Sequence, residues 1–132
     1  MRWKSDFTHD FLAMSKKLQK KYRSFMDDFE RFKDNLLNNP FQGTEFTPGI
    51  RKIRMTIESK GGGKSRGARV ITLTYHISEE DGIVVFLLVY DHNQADTVDS
   101  KAIKKICKLL GYDLDVLENE GKLKMHIGKN NN

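Results

Sequence analysis

Lys52 and Arg54 stand two residues apart in a stretch that alternates apolar and basic side chains, and Arg69 opens a second β-branched stretch. His92 follows an apolar run that closes with Tyr90 and Asp91. Residues two apart on a strand project from the same face, so Lys52 and Arg54 share one surface, with Arg69 on the neighbouring strand. The chemistry open to such a set is that of a phosphodiester. Cutting RNA without a metal requires an activated 2′-hydroxyl, neutralised charge on the phosphoryl oxygens, a protonated leaving oxygen, and alignment of all three. Arginine and lysine supply the charge, and histidine exchanges a proton near neutral pH. Singly, Lys52 and Arg54 are an ordinary polar sheet face and His92 an ordinary turn residue. Together, on adjoining strands, they point to a phosphate-handling site.

The distribution of charge agrees. Between Ile50 and Val70 the basic residues are Arg51, Lys52, Arg54, Lys60, Lys64, Arg66 and Arg69, against the single acid Glu58. This window holds an excess of six positive charges in a chain of net charge +5, so the remainder sums to −1. Bracketing a turn between two strands concentrates these cations, which favours a polyanionic partner: nucleic acid or an acidic protein segment.

Other chemistries find less support. Gly63-Lys64-Ser65 suggests a phosphate-binding loop, but Glu58 stands where the motif needs its first glycine, and Gly67–Val70 opens a strand where the motif needs a helix. The histidines His9, His76, His92 and His126 are scattered without paired spacing, so no metal and no cofactor is expected. No Gly-x-Ser-x-Gly elbow exists for a serine nucleophile. Cys107 is the lone cysteine and falls on the apolar side of an expected helix, where it reads as a packed, inert thiol.

The elements that must position the cations follow from periodicity. Phe7, Phe11, Met14, Leu18, Tyr22, Phe25, Phe29, Phe32 and Leu36 recur at spacings of three and four, an amphipathic helical stripe. One straight helix of that length would span ~45 Å, too long for so small a domain, so a break is predicted near Lys21–Ser24. Ser24 would cap the second helix, Asp27 and Asp28 would sit in its first turn, and Asn38-Asn39-Pro40 would stop it. Phe41–Gly49 reads as a loop. Ile50–Glu58 and Arg69–Ile77 read as strands joined by a glycine-rich connector, and Ile83–Tyr90 as a strand buried on both faces. A third helix is expected from Asp99 or Ser100 to Gly111, with Ile103, Ile106 and Leu110 on its stripe. Val116-Leu117 and Leu123–Ile127 read as a turn and a short strand, and Gly128–Asn132 as a disordered tail. The expected architecture is α+β: an N-terminal helical hairpin on a small twisted antiparallel sheet, with a C-terminal helix. Residues 1–111 form one domain and 112–132 an extension. The longest apolar run, Ile83–Tyr90, is far short of the ~20 residues of a membrane span, and the N-terminal residues lack a signal-peptide core, so a cytoplasmic protein is expected.

Gly49-Ile50-Arg51-Lys52-Ile53-Arg54-Met55, Gly63–Ile71 and Leu87-Leu88-Val89-Tyr90-Asp91-His92 together resemble the HigB-like branch of the RelE/ParE toxin superfamily. That branch typically carries a Gly-x-Arg-Lys-x-Arg strand, a Gly-Lys-Ser-Gly-Gly-x-Arg-Val-Ile turn and a Tyr-Asp/Ala-Lys ending. The resemblance covers about residues 7–110. It departs at Arg66, where a second glycine is usual, at His92, where lysine is common, and at Val98, where some members carry a tyrosine. It implies a short additional strand at Arg2–Asp6, and a toxin of a type II toxin-antitoxin system. Such a toxin is a metal-independent endoribonuclease that cuts mRNA on the ribosome and inhibits translation. Its partner would be an antitoxin encoded beside it, of the small helix-turn-helix kind. By position, Arg54 and Arg69 would stabilise the pentavalent phosphate, Lys52 would help activate the 2′-hydroxyl, and His92 would donate to the leaving oxygen. Arg51, Lys60, Lys64, Arg66 and Tyr90 would contact RNA. The same resemblance also admits a DNA gyrase poison acting through the helical hairpin or C-terminal segment. A third reading is a non-catalytic module that holds RNA or an acidic antitoxin peptide.

Overall fold

The computed structural model describes residues 1–97 and Lys108. The chain opens with a strand, β1 (Arg2–Phe7), followed by two helices, α1 (His9–Lys21) and α2 (Phe25–Asn38). Four strands come next: β2 (Thr44–Thr47), β3 (Ile50–Met55), β4 (Ala68–His76) and β5 (Asp81–Asp91). They build one five-stranded sheet in the order β1-β5-β4-β3-β2. β1 runs parallel to β5, and every other pair is antiparallel.

Both helices bury their apolar stripe on one sheet face. Phe11, Leu18, Phe25, Phe29 and Leu36 pack with Ile53, Met55, Ala68, Val70, Val84, Phe86 and Val89. Phe86 is the centre of this contact: its ring stacks on Phe7 at 5.0 Å and meets Phe29 edge-on at 5.4 Å. Alternate positions of the same strands form a second buried cluster, including Ile50, Ile71, Leu73, Tyr75, Val85, Leu88 and Tyr90. β5 thus presents apolar side chains to both sides, which is why Ile83–Tyr90 is continuously hydrophobic.

One irregularity sets the faces of β5. Thr72 pairs with Phe86 but Ile71 pairs with Leu88, so Leu87 is an extra residue, a β-bulge. Its carbonyl accepts the Thr8 hydroxyl at 2.7 Å, while the same Oγ1 accepts the Phe11 amide at 2.9 Å. Thr8 therefore caps α1 and ties that helix to the bulge.

The break between the helices falls at Tyr22–Ser24, as the length argument requires. The cap differs from expectation. Ser24 has helical backbone angles and makes no side-chain cap bond. Its hydroxyl donates to Asp28 Oδ2 at 2.6 Å and accepts the Ser59 amide at 2.8 Å. Asp28, buried, also accepts the Glu58 amide at 2.9 Å and Arg31 at 2.6 Å. The start of α2 is thereby fastened to the segment that leaves β3.

The α+β class stands, with three corrections. The sheet is mixed, not antiparallel, because β1 and β5 are 79 residues apart at Arg2 and Asp81 and no hairpin dictates their direction. A strand precedes the helices, at the place the resemblance implies. Phe41–Gly49 is not wholly loop: Thr44–Thr47 pairs with β3 at the sheet edge. Apart from Lys108, the expected C-terminal helix lies outside the described residues, as do Cys107, Val98 and the elements after Tyr112. No helix among the described residues is long and apolar enough to cross a membrane.

Candidate functional site

Register brings the predicted cations together. Arg54 lies opposite Arg69, and Arg69 opposite Tyr90, so the three form one row across β3, β4 and β5. Lys52, two residues earlier on β3 and opposite Ile71, occupies the next row of the same face. Lys52, Arg54, Lys64 and Arg69 line a cleft of about 430 Å³ together with Gln42, and among the described residues no carboxylate lines it. That volume falls in the range of small-ligand sites. Among the described residues, no ion pair joins these cations to an acid. An adjoining cleft of about 260 Å³ shares Gln42, Arg54 and Lys64 but is bounded by Asp28 and Glu58, where the unopposed positive charge ends.

Arg69 is the most constrained member. Its guanidinium donates to the carbonyls of Lys64 at 3.2 Å, Ser65 at 2.9 Å and Ala68 at 3.2 Å. It thus folds the 3-10 turn Lys64–Arg66 back over the start of β4. Burial lowers its pKa and the Arg54 charge lowers it further, with Tyr90 and Asp91 opposing. Burial raises the pKa of the Tyr90 phenol, with Arg69 opposing. The Tyr90 hydroxyl is buried, with no hydrogen-bond partner among the described residues. Gly67 closes the turn: a Cβ there would strike the Met55 carbonyl oxygen, so only glycine lets the connector rejoin the sheet this closely.

A second cluster forms where β5 ends. Asp91, opposite Ala68, is buried on the helix side of the sheet. It accepts Tyr22 Oη at 2.6 Å, Lys60 Nζ at 2.6 Å and the Asn93 amide at 3.3 Å, and Lys21 Nζ stands 3.8 Å away. Burial pushes its pKa up, but the bonds from Lys60, Tyr22 and Asn93 and the Lys60 charge outweigh it, leaving the carboxyl at about 2. His92 begins the 3-10 turn His92–Thr97. Its Nδ1 lies 3.0 Å from Lys60 Nζ and 3.3 Å from Asp91 Oδ1, and its amide donates to the Gly67 carbonyl at 3.0 Å. The Gly67–His92 bond joins the two clusters at the same end of the sheet.

The cationic residues therefore separate into groups. Lys52, Arg54, Lys64 and Arg69 share the cleft. Lys60 and His92 share the Asp91 cluster. Arg51 stands apart, over the Phe41 ring at 5.4 Å and 3.9 Å from Glu45. Arg66 is exposed in the turn, and Tyr90 is buried beside Arg69. Two members of the second cluster escaped the sequence reading. Tyr22 reads as one more stripe residue, although its place at the helix break is the signal that it faces elsewhere. Asp91 is flagged only by adjoining His92. Among the described residues no three His, Cys, Asp or Glu side chains group as metal ligands. No protein-family model matches the chain, and no curated protein matches it.

Proposed function

We propose that this chain is a RelE/ParE-like toxin, a metal-independent endoribonuclease that cuts mRNA on the ribosome in the cytoplasm and is neutralised by an antitoxin encoded beside it. The observation that carries the proposal is the cleft in which Lys52, Arg54, Lys64 and Arg69 converge with no opposing carboxylate among the described residues. Such a surface favours a phosphodiester over a neutral or cationic ligand. Arg54 and Arg69 neutralise the developing phosphoryl charge, and Lys52 lowers the cost of ionising the 2′-hydroxyl, whose proton passes to water. His92, at the end of β5 outside the cleft, donates a hydrogen bond to the leaving oxygen, which takes its proton from water. Toeprinting of a translated message with the purified full chain tests this. New ends are expected, unaffected by chelators and reduced at least ~10²-fold in Arg54→Ala. No new ends on any translated message would overturn it. Arg54 is the cleaner probe, because Arg69→Ala also frees the Lys64–Arg66 turn.

One observation favours a second reading, a non-catalytic RNA-binding module. Three N–H donors of Arg69 are committed to backbone carbonyls, which leaves fewer for a transition state. That reading predicts salt-sensitive RNA binding with no cleavage.

A further inference from the structure

Lys60 belongs to the basic connector, yet the fold withdraws it from the cationic cleft. The Glu58 and Ser59 amides are held by Asp28 and Ser24, and the Lys60 amide turns back to the Ile57 carbonyl at 3.0 Å. Left-handed backbone at Gly61, Gly62 and Gly63 then carries the chain away. Lys60 is left with a side chain only 16% exposed, its Nζ 2.6 Å from Asp91 Oδ1 and 3.0 Å from His92 Nδ1. An ammonium group only donates hydrogen bonds. To accept from it, Nδ1 must carry a lone pair, which places the imidazole hydrogen on Nε2. The alternative, an Nδ1–H donated to Asp91 Oδ1 at 3.3 Å, requires Lys60 to give up its bond to that nitrogen. Both bonds cannot use Nδ1 at once, and the shorter contact is the one to Lys60. The other charged and titratable groups at this carboxylate, Lys21 and Tyr22, approach Asp91 Oδ2 and leave Oδ1 to Lys60 and the Asn93 amide.

We propose that Lys60 is a positioning residue: with Asp91 it fixes His92 as the neutral Nε2–H tautomer, which makes the imidazole a hydrogen-bond donor to its ligand and closes its use as a base through Nε2. The inference rests on the reading above for what the donor meets, the leaving oxygen of a phosphodiester. It does not rest on that reading for the tautomer. Lys60 then contributes to the orientation of one group and not to the count of phosphate-neutralising cations.

The test is long-range proton–nitrogen NMR of the full chain near neutral pH, in wild type, Lys60→Met and Lys60→Arg. Wild type and Lys60→Arg should show His92 with an unprotonated Nδ1 and a protonated Nε2. Lys60→Met should move the hydrogen to Nδ1, towards Asp91. Wild-type His92 with Nδ1–H, or a tautomer indifferent to Lys60→Met, overturns the inference even if the chain cuts RNA. In parallel, Lys60→Met should lower mRNA cleavage on the order of 10²-fold while leaving the salt slope of RNA binding unchanged. A slope reduced by about 1 would make Lys60 a phosphate contact and overturn the assignment. A chain that cuts no message would remove the endoribonuclease reading, and the nitrogen shifts would still decide the tautomer.

Discussion

Around Asp91, donors from three parts of the chain converge on one carboxylate: Tyr22 between the helices, Lys60 in the connector, and the Asn93 amide just beyond β5. The group stays ionised in the folded chain down to about pH 2, against an ordinary value of 3.8. A depressed folded pKa stabilises the fold above the unfolded value, and that stabilisation is lost as pH falls through the folded one. Asp91→Asn should therefore cost on the order of 2 kcal/mol at neutral pH, and the gap from wild type should close between about pH 4 and pH 2. Urea denaturation across that window measures both. A constant gap would mean that the cost comes from packing and not from the charge.

At the level of elements, Thr8 does two jobs with one hydroxyl, capping α1 and satisfying the bulge carbonyl of Leu87. Thr8→Val keeps the shape and removes both bonds, so it should destabilise the fold by about 1–3 kcal/mol in denaturant titration. Which elements were legible in the sequence follows from what each one buries. β5 is apolar on both sides and the helical stripe keeps a strict spacing, so both stand out. β1 is Arg-Trp-Lys-Ser-Asp-Phe, exposed at every second position, and β2 is a four-residue edge; neither buries enough to leave a pattern. Lys52, Arg54 and Arg69 were readable because period two needs no tertiary knowledge. The Lys60–His92 contact was not, since it joins residues 32 apart through a connector whose path depends on Ser24 and Asp28.

For the whole molecule, a net charge of +5 is modest, and its segregation matters more than its size. With four cations lining the cleft, the logarithm of affinity for single-stranded RNA should fall with the logarithm of salt at a slope of about −3. Arg54→Ala should bring the slope closer to zero by nearly one. Titrations at several salt concentrations report this, and a slope near zero would mean that RNA is not held by these side chains.

The bulge at Leu87 has a consequence for the sign of that surface. Along β5 the residues facing the helices are even-numbered before it, Val84 and Phe86, and odd-numbered after it, Val89 and Asp91. A strand of unbroken parity would turn Tyr90 towards the phenylalanines and Asp91 outward, onto the face of Arg54 and Arg69. A single uncounted residue thus keeps the one acid at this end of β5 on the far side of the sheet, and the cleft remains open to an anion from outside because the chain's own anion has been turned away.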